Sequence, residues 1–239
     1  MNIGNNVSGL TSASDTHSQV PENNTVGAAH EMATTVTADG SMKTLPNTWN
    51  TQLPEQDRKW VKDALFSPLQ LWYYPPQEDL IKSYPPSSSG EFFKHRFFLW
   101  MPKTMFEYRF TCQACGNGTM VSAGMYKCLR KVFDISGIFY MGTEYLKCNK
   151  DVCKKKVAGW HPAIFAQLDL AHASLFPAVL SYKLAVSKTV INMMKERTLG
   201  NSITQLLRKL EEQYSTEHLE RCLRYFMKLK LVLDGLIWS

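Results

Sequence analysis

The sequence predicts an α+β fold, in which a small antiparallel β ribbon precedes a C-terminal helical bundle of helix-turn-helix-like arrangement. Short aromatic and β-branched runs flank two close cysteine pairs between residues 92 and 160, and apolar residues recur at helical spacing from residue 161 onward. Because 44% of the 239 residues are hydrophobic, the chain can bury a core. We therefore expect a ribbon domain at 92–160, a helical domain at 161–228 and a short divergent tail at 229–239.

Residues 1–46 have the composition of a disordered tail. They contain one lysine, no arginine, four acidic residues and no aromatic residue, so their formal charge is 1 − 4 = −3. Since the whole chain carries +6, the remainder carries +9. The segment has no helical or strand apolar period, and it cannot offset the entropy that folding would remove.

The sequence indicates neither a membrane span nor a secretory signal. The longest apolar stretch, residues 163–180, is interrupted by Asp169, His172 and Pro177, whereas a spanning helix needs about 20 mostly apolar residues. The N-terminus lacks a basic region followed by an apolar one. We expect a nuclear or cytoplasmic protein that is not secreted, in which thiols stay reduced.

Residues 47–91 form an arm rich in proline and aromatic residues. A helix is expected at 55–65, where Trp60, Val61 and Leu65 share one face. The paired prolines farther along favour extended backbone, and the aromatic residues near them need a surface to pack on. The arm therefore either lies across the folded domain or serves as a proline-rich ligand for an aromatic groove of another protein.

Two cysteine pairs have the spacing of a metal site. Two residues separate Cys112 from Cys115, and four separate Cys148 from Cys153. Each pair follows a strand-like run and lies beside turn residues, and Gly116-Asn117-Gly118 offers the positive φ angles of a tight turn. A cysteine pair on a tight turn of this kind is called a zinc knuckle. Two knuckles can hold one tetrahedral zinc ion, and this arrangement is the architecture of a zinc ribbon.

Other interpretations of the cysteines are open. Buried free cysteines behave as small hydrophobic residues, and a redox Cys-x-x-Cys motif would require a βαβ pattern that is absent around the first pair. Cys128 and Cys222 lie among apolar residues and are expected in the core. His161 could replace a ligand, although the sequence around it is typical of a strand-to-helix junction.

The ribbon region is basic, with ten Lys and Arg against four acids between residues 100 and 160. Part of this excess would balance the net −2 charge of one zinc ion with four thiolates. The rest could face nucleic-acid phosphates, or it could be an ordinary solvated surface. The candidates for phosphate contact are Lys127, Arg130, Lys131, Lys154, Lys155 and Lys156.

The C-terminal third is predicted to be helical. Helices are expected to begin at Pro162, Pro177, Ser202 and Ser215, with apolar residues on one face of each. The last two could form a helix-turn-helix. Their outward residues mix both charges, which is equally typical of a packing module with a solvated surface.

Several segments together resemble a known family. The HRFFLWMPK run at 95–103, the CQACG and YLKC runs that carry cysteines, and the LGNS run at 199–202 resemble an uncharacterised cysteine-rich domain of transposon-derived animal proteins. In longer members this domain precedes an exonuclease- or transposase-like region, and we expect this chain to be without that region. The resemblance implies a zinc-binding, nucleic-acid-associated module, with Cys112, Cys115, Cys148 and Cys153 as the ligands.

The sequence favours a module without catalytic activity. A ribonuclease H-like centre gathers three carboxylates around two metals, whereas Asp134, Glu144 and Asp169 each have a plainer structural interpretation. No nucleophile elbow, phosphate-binding lysine loop or zinc-protease helix motif is present, and no small-molecule substrate is evident. We expect nucleic-acid (DNA) binding; the alternatives are a zinc-stabilised protein-interaction domain or a non-catalytic remnant of a larger enzyme.

Overall fold

One long strand organises the fold. The computed structural model of the protein describes residues 45–77, 86, 88–182, 184–195 and 202–237. Strand β5 (Gly137–Cys148) is 12 residues long and has different neighbours along its length. Its first half pairs with β2 (Arg96–Trp100), in parallel, and with β4 (Arg130–Asp134). Its second half pairs antiparallel with β3 (Met120–Met125) and β6 (Lys156–Ala158). Since β5 ends at Cys148, it joins the cysteine region rigidly to the main sheet.

Eight strands form this sheet, which is larger than the small ribbon that the sequence predicts. Its main order is β1-β2-β5-β4-β8-β7, with β3 and β6 attached to β5. The remaining strands are β1 (Trp72–Tyr73), β7 (Ala178–Leu180) and β8 (Ala185–Ser187). The sheet therefore combines strands from the arm, the ribbon region and the predicted helical region.

Helices flank the sheet at both ends of the chain. The first three are α1 (Asn47–Gln52), α2 (Glu55–Leu65) and α3 (Pro102–Phe106), and a short 3₁₀ helix covers Ser89–Phe93. The others are α4 (Pro162–Phe165), α5 (Leu170–Ser174), α6 (Lys188–Lys195) and α7 (Ile203–Ile237). Helix α2 occupies the predicted residues, which confirms that part of the sequence reading.

The described part of the arm packs against its own sheet. Trp49 is 1% exposed, contacts the ring of Phe97 and donates its indole N–H to the carbonyl of Tyr126 at 2.9 Å. Trp72 packs edge-on against Phe98 and Phe139. Burial of these large rings supplies much of the hydrophobic stabilisation. Most aromatic residues of the described arm are thus part of the core or packed against it, whereas Phe66 and Tyr74 are exposed.

Two predictions for the C-terminal third are wrong. The helix predicted from Pro177 is instead the antiparallel pair β7–β8, in which β8 also pairs with β4. The predicted helix break at Ser215 does not occur, because α7 runs for 35 residues through it and through most of the predicted 229–239 tail. A helix-turn-helix therefore does not form there, and the predicted helical bundle is unconfirmed.

Two further findings concern the N-terminal tail and the possibility of a membrane-spanning helix. The predicted disordered tail at 1–46 lies outside the described residues, apart from residues 45 and 46. Within the described ranges, none of the helices combines the length and the apolar character needed to cross a bilayer.

Candidate metal centre

The first cysteine pair is held by a tight backbone turn. The N–H of Cys112 donates to the carbonyl of Gly118 at 2.7 Å, and the N–H of Gly116 donates to the carbonyl of Cys112 at 2.8 Å. Gly116 has a φ of +69°, which glycine adopts without the steric penalty of a Cβ. The turn brings the side chains of Cys112 and Cys115 to one side.

The second pair spans the loop between β5 and β6. The N–H of Cys148 donates to the carbonyl of Lys155 at 2.9 Å, and the carbonyl of Lys150 accepts from the N–H groups of Cys153 and Lys154 at 3.1 and 3.0 Å. Lys154 takes a left-handed φ of +48° to close the loop. Because β5 and β6 fix both ends of this loop, its two thiols have defined positions.

The four thiols converge on one point. Their Sγ atoms all lie within 4.8 Å of one another, and Cys112–Cys153 and Cys115–Cys148 are each 3.7 Å apart. A tetrahedral ion bound to four thiolates at about 2.3 Å requires sulfurs about 3.8 Å apart. A disulfide would require about 2.05 Å, so these are free thiols in a metal-like arrangement. The four cysteines together could hold a metal ion.

Gly118 completes this site by leaving space. A Cβ at this position would lie 2.3 Å from the Sγ of Cys148 and 3.0 Å from the Sγ of Cys115. Gly118 has no positive φ, so conformation is not the reason for glycine here, in contrast to the prediction. Any side chain at residue 118 would occupy the volume that the two thiols need.

The thiols influence one another electrostatically. The backbone N–H of Cys115 donates to the sulfur of Cys112 and lowers the pKa of that thiol to about 7. The N–H of Lys150 acts in the same direction on Cys148, but burial and the neighbouring Cys115 outweigh it and raise the pKa of Cys148 to about 12. Four thiolates cannot coexist here without a compensating cation, which a bound divalent ion would provide.

The other cysteines and the nearby histidines lie outside the cluster. The Nδ1 of His161 accepts the backbone N–H of Ala163 at 3.1 Å and caps α4, so it acts as a structural residue. His172 bonds to Asp169 at 2.7 Å. Cys222 lies on α7, with its Sγ 3.5 Å from His218. In the part of the chain that the structure describes, the four cysteines are the only group of three or more His, Cys, Asp or Glu side chains close enough to share an ion.

The predicted phosphate-contacting residues fall into two separate groups. Arg130 pairs with Met141 on β5, whereas Lys156 pairs with Lys147 farther along the same strand. Six residues of strand separate these positions, about 20 Å. In the first group, the guanidinium of Arg130 is engaged with the carbonyl of Tyr182 at 2.8 Å.

The second group lies next to the cysteine cluster along the chain, on the ends of β5 and β6 and the loop between them. Lys154, Lys155 and Lys156 are exposed and follow the last thiol directly. Sequence reasoning missed two members of this group, Lys147 and Lys150, although their proximity to Cys148 in sequence was a usable signal. We call the group the knuckle lysines: Lys147, Lys150, Lys154, Lys155 and Lys156.

Comparison with known proteins places the chain in one family. A domain of unknown function, DUF6729, matches residues 49–235. The chain belongs to this family. The matched residues include nearly all of the arm, the sheet, the cysteine cluster and nearly all of α7. No curated protein and no solved structure matches the chain.

Proposed function

We propose that this protein is a zinc-stabilised, non-catalytic module that binds nucleic acid. The observation that carries the proposal is the convergence of four cysteine sulfurs at the spacing of a tetrahedral ion, and the knuckle lysines are neighbours of these cysteines in the chain. Zinc is the divalent ion that four thiolates in tetrahedral geometry most commonly bind in proteins.

The bound ion would have a structural role. Cys112, Cys115, Cys148 and Cys153 would fill all four positions, which leaves none for water or substrate. The ion would link the loop after residue 110 to the end of β5. Such sites contribute folding free energy, because the unfolded chain does not present a preformed site.

The placement of the candidate acidic residues supports a non-catalytic role. Asp134 accepts from Arg96 at 2.8 Å. Glu144 is fully buried and accepts the backbone N–H of Lys103 at the start of α3, at 2.9 Å. Asp169 caps α5. Each of the three carboxylates thus has its own structural partner, and the three carboxylates lie on different elements of the fold.

The knuckle lysines support phosphate binding. Four of the five are exposed, and Lys147 and Lys156 lie directly opposite each other on β5 and β6 and therefore on one face of the ribbon. Asp151 is the acid within the same loop. A bound zinc with four thiolates would offset part of the positive charge, and the remainder would attract a polyanion.

We further propose descent from a mobile element. The LWMP and LGNS segments, together with the cysteine pairs, support this origin through their resemblance to the cysteine-rich domain of transposon-derived proteins. A nuclear location would follow from nucleic-acid binding, although the same chemistry could act on cytoplasmic RNA.

Metal analysis tests the first part of the proposal. The zinc content of the purified chain should be about one ion per molecule, and it should be lost in the Cys112→Ser/Cys115→Ser variant. The matched control is Cys128→Ser/Cys222→Ser, which removes two cysteines outside the cluster and should keep the zinc. Wild-type protein without zinc, or equal zinc in both variants, would refute the metal site.

Fluorescence anisotropy with a mixed-sequence duplex and a single-stranded RNA tests the second part. We expect binding to weaken steeply between roughly 50 and 200 mM salt, and Lys154→Gln/Lys155→Gln to reduce the slope of log K against log salt by about two. The control Lys59→Gln/Lys62→Gln removes two lysines from α2 and should have little effect. Zinc-loaded protein that binds neither probe would refute nucleic-acid binding while leaving the metal site intact.

A further inference from the structure

Among the residues that the structure describes, helix α7 packs against the domain along one side only. Tyr214 donates to the carbonyl of Asp134 at 2.6 Å, and the rings of His218 and Tyr225 contact Phe93 and Phe92. Farther along, Val232 is 6% exposed. These contacts recur every three to four residues, which defines an inner side of the helix.

The opposite side of α7 is apolar and exposed. Leu223 is 59% exposed and Phe226 is 62% exposed. They belong to a set that we call the outer face, whose members lie on the side of the helix away from the inner contacts. The outer face consists of Leu219, Leu223, Phe226, Met227, Leu231 and Leu233, with Lys230 among them.

The spacing within the outer face is that of a coiled coil. Leu219, Leu223, Phe226, Lys230 and Leu233 alternate by four and three residues, the pattern of positions d and a in a heptad repeat. One lysine at an a position is compatible with such a seam and specifies its register. An apolar stripe with this period fits a second helix.

The exposed area is large enough for a dimer. Without Leu231, which falls at a b position beside the seam, the exposed fractions of the apolar side chains correspond to on the order of 600 Å² of accessible surface. A standard interface buries about 800 Å² on each partner, and monomeric proteins seldom expose contiguous apolar patches above a few hundred Å². The flanking residues of the seam would supply the remaining area.

We propose that a second copy of this chain covers the outer face, through an antiparallel coiled coil of the two α7 helices. Each helix would keep its inner side on its own domain, so the two domains lie on opposite sides of the seam. The assembly uses no residue of the metal centre, and it therefore stands independently of the proposed function.

Charge selects the antiparallel orientation. In a parallel pair, the two Lys230 side chains would meet at the same a position, and their like charges would repel each other. In an antiparallel pair, a positions pack against d positions, and the register that opposes Leu223 to Phe226 places Lys230 against Leu219 of the second copy. Its methylene stem would cover that leucine, and its ammonium group would reach Glu220 of the second copy.

Sedimentation equilibrium of the full chain tests the dimer. We expect a concentration-dependent monomer–dimer equilibrium in the micromolar range for the wild type and a monomer for Leu223→Glu. The matched control is Leu207→Glu, at an exposed leucine of the same helix that lies off the outer face, and it should remain dimeric. A wild-type monomer at every concentration, as expected if another segment of the chain covers this face, would overturn the proposal.

A charge exchange tests the orientation. Lys230→Glu and Glu220→Lys should each weaken the dimer, and the double variant should recover most of the affinity. On one helix these residues are ten positions apart, about 15 Å, so coupling between them must act across the dimer. Glu220 also pairs with Arg224 within the helix at 3.6 Å, but this pair is lost equally in Glu220→Lys and in the double variant, so the comparison of these two isolates the contact across the dimer. Absence of recovery would refute the antiparallel arrangement.

Discussion

Replacing Gly118 by alanine should abolish metal binding. The added Cβ would lie 2.3 Å from the Sγ of Cys148, whereas ordinary contacts begin at 3.4 Å, so that sulfur would have to retreat by about 1.1 Å. Ligand distances in metal sites tolerate only about 0.2 Å. Because Cys148 is 1% exposed and strand pairing fixes its backbone, its sulfur could move this far only by rotating away from the other three thiols.

Gly116→Ala is the matched control for this substitution. No atom lies within 4 Å of a Cβ built at Gly116, and only its φ of +69° opposes a side chain. The expected cost is about 1–2 kcal/mol of backbone strain, with the metal retained. Zinc content and thermal unfolding, measured on both variants and the wild type, should therefore show loss of zinc in Gly118→Ala alone. Stoichiometric zinc and an unchanged unfolding midpoint in Gly118→Ala would refute the geometry of the site.

Two further predictions concern the core. Trp49→Ala should lower the free energy of unfolding by about 3–5 kcal/mol, since it empties a buried site, whereas Tyr74→Ala, at a residue 65% exposed, should change it little in urea denaturation. Burial raises the pKa of Glu144 above its ordinary 4.5, so the folded state holds this proton to higher pH than the unfolded state. Stability should therefore fall as pH rises from about 4.5 towards the folded pKa, by at most about 1.4 kcal/mol per pH unit from this group. Glu144→Gln should remove that part of the pH dependence, and an identical pH profile would contradict it.

Local signals in the sequence were sufficient to predict helix α2 and the turns that carry the cysteine pairs. Trp60, Val61 and Leu65 recur at helical spacing, and each cysteine pair lies within a few residues of its own turn. Such features depend on interactions between close neighbours in the chain, so a pattern of residues specifies them.

The C-terminal third shows where local signals fail. Residues 178–187 have apolar residues at a spacing that also fits a helix, but β8 pairs with β4, more than 50 residues earlier in the chain. At Ser215 the helix continues, because Thr216 donates to the carbonyl of Glu212 within the helix, and Arg221 pairs with Glu217 one turn farther on. Non-local strand pairing outweighs the helical spacing in the first place. In the second, contacts within the helix are joined by a non-local one, because Tyr214 donates to the carbonyl of Asp134.

The sequence by itself determined that four cysteines form two knuckles and that the arm is rich in residues that need burial. Only the tertiary structure decided that β5 carries both the main sheet and the cysteine ribbon, that Gly118 leaves the space for two thiols, and that the outer face of α7 is exposed. The physical reason is distance along the chain. A knuckle closes over a few residues, whereas sheet order, the volume around a sulfur atom and the exposed side of a helix depend on segments that meet only after folding.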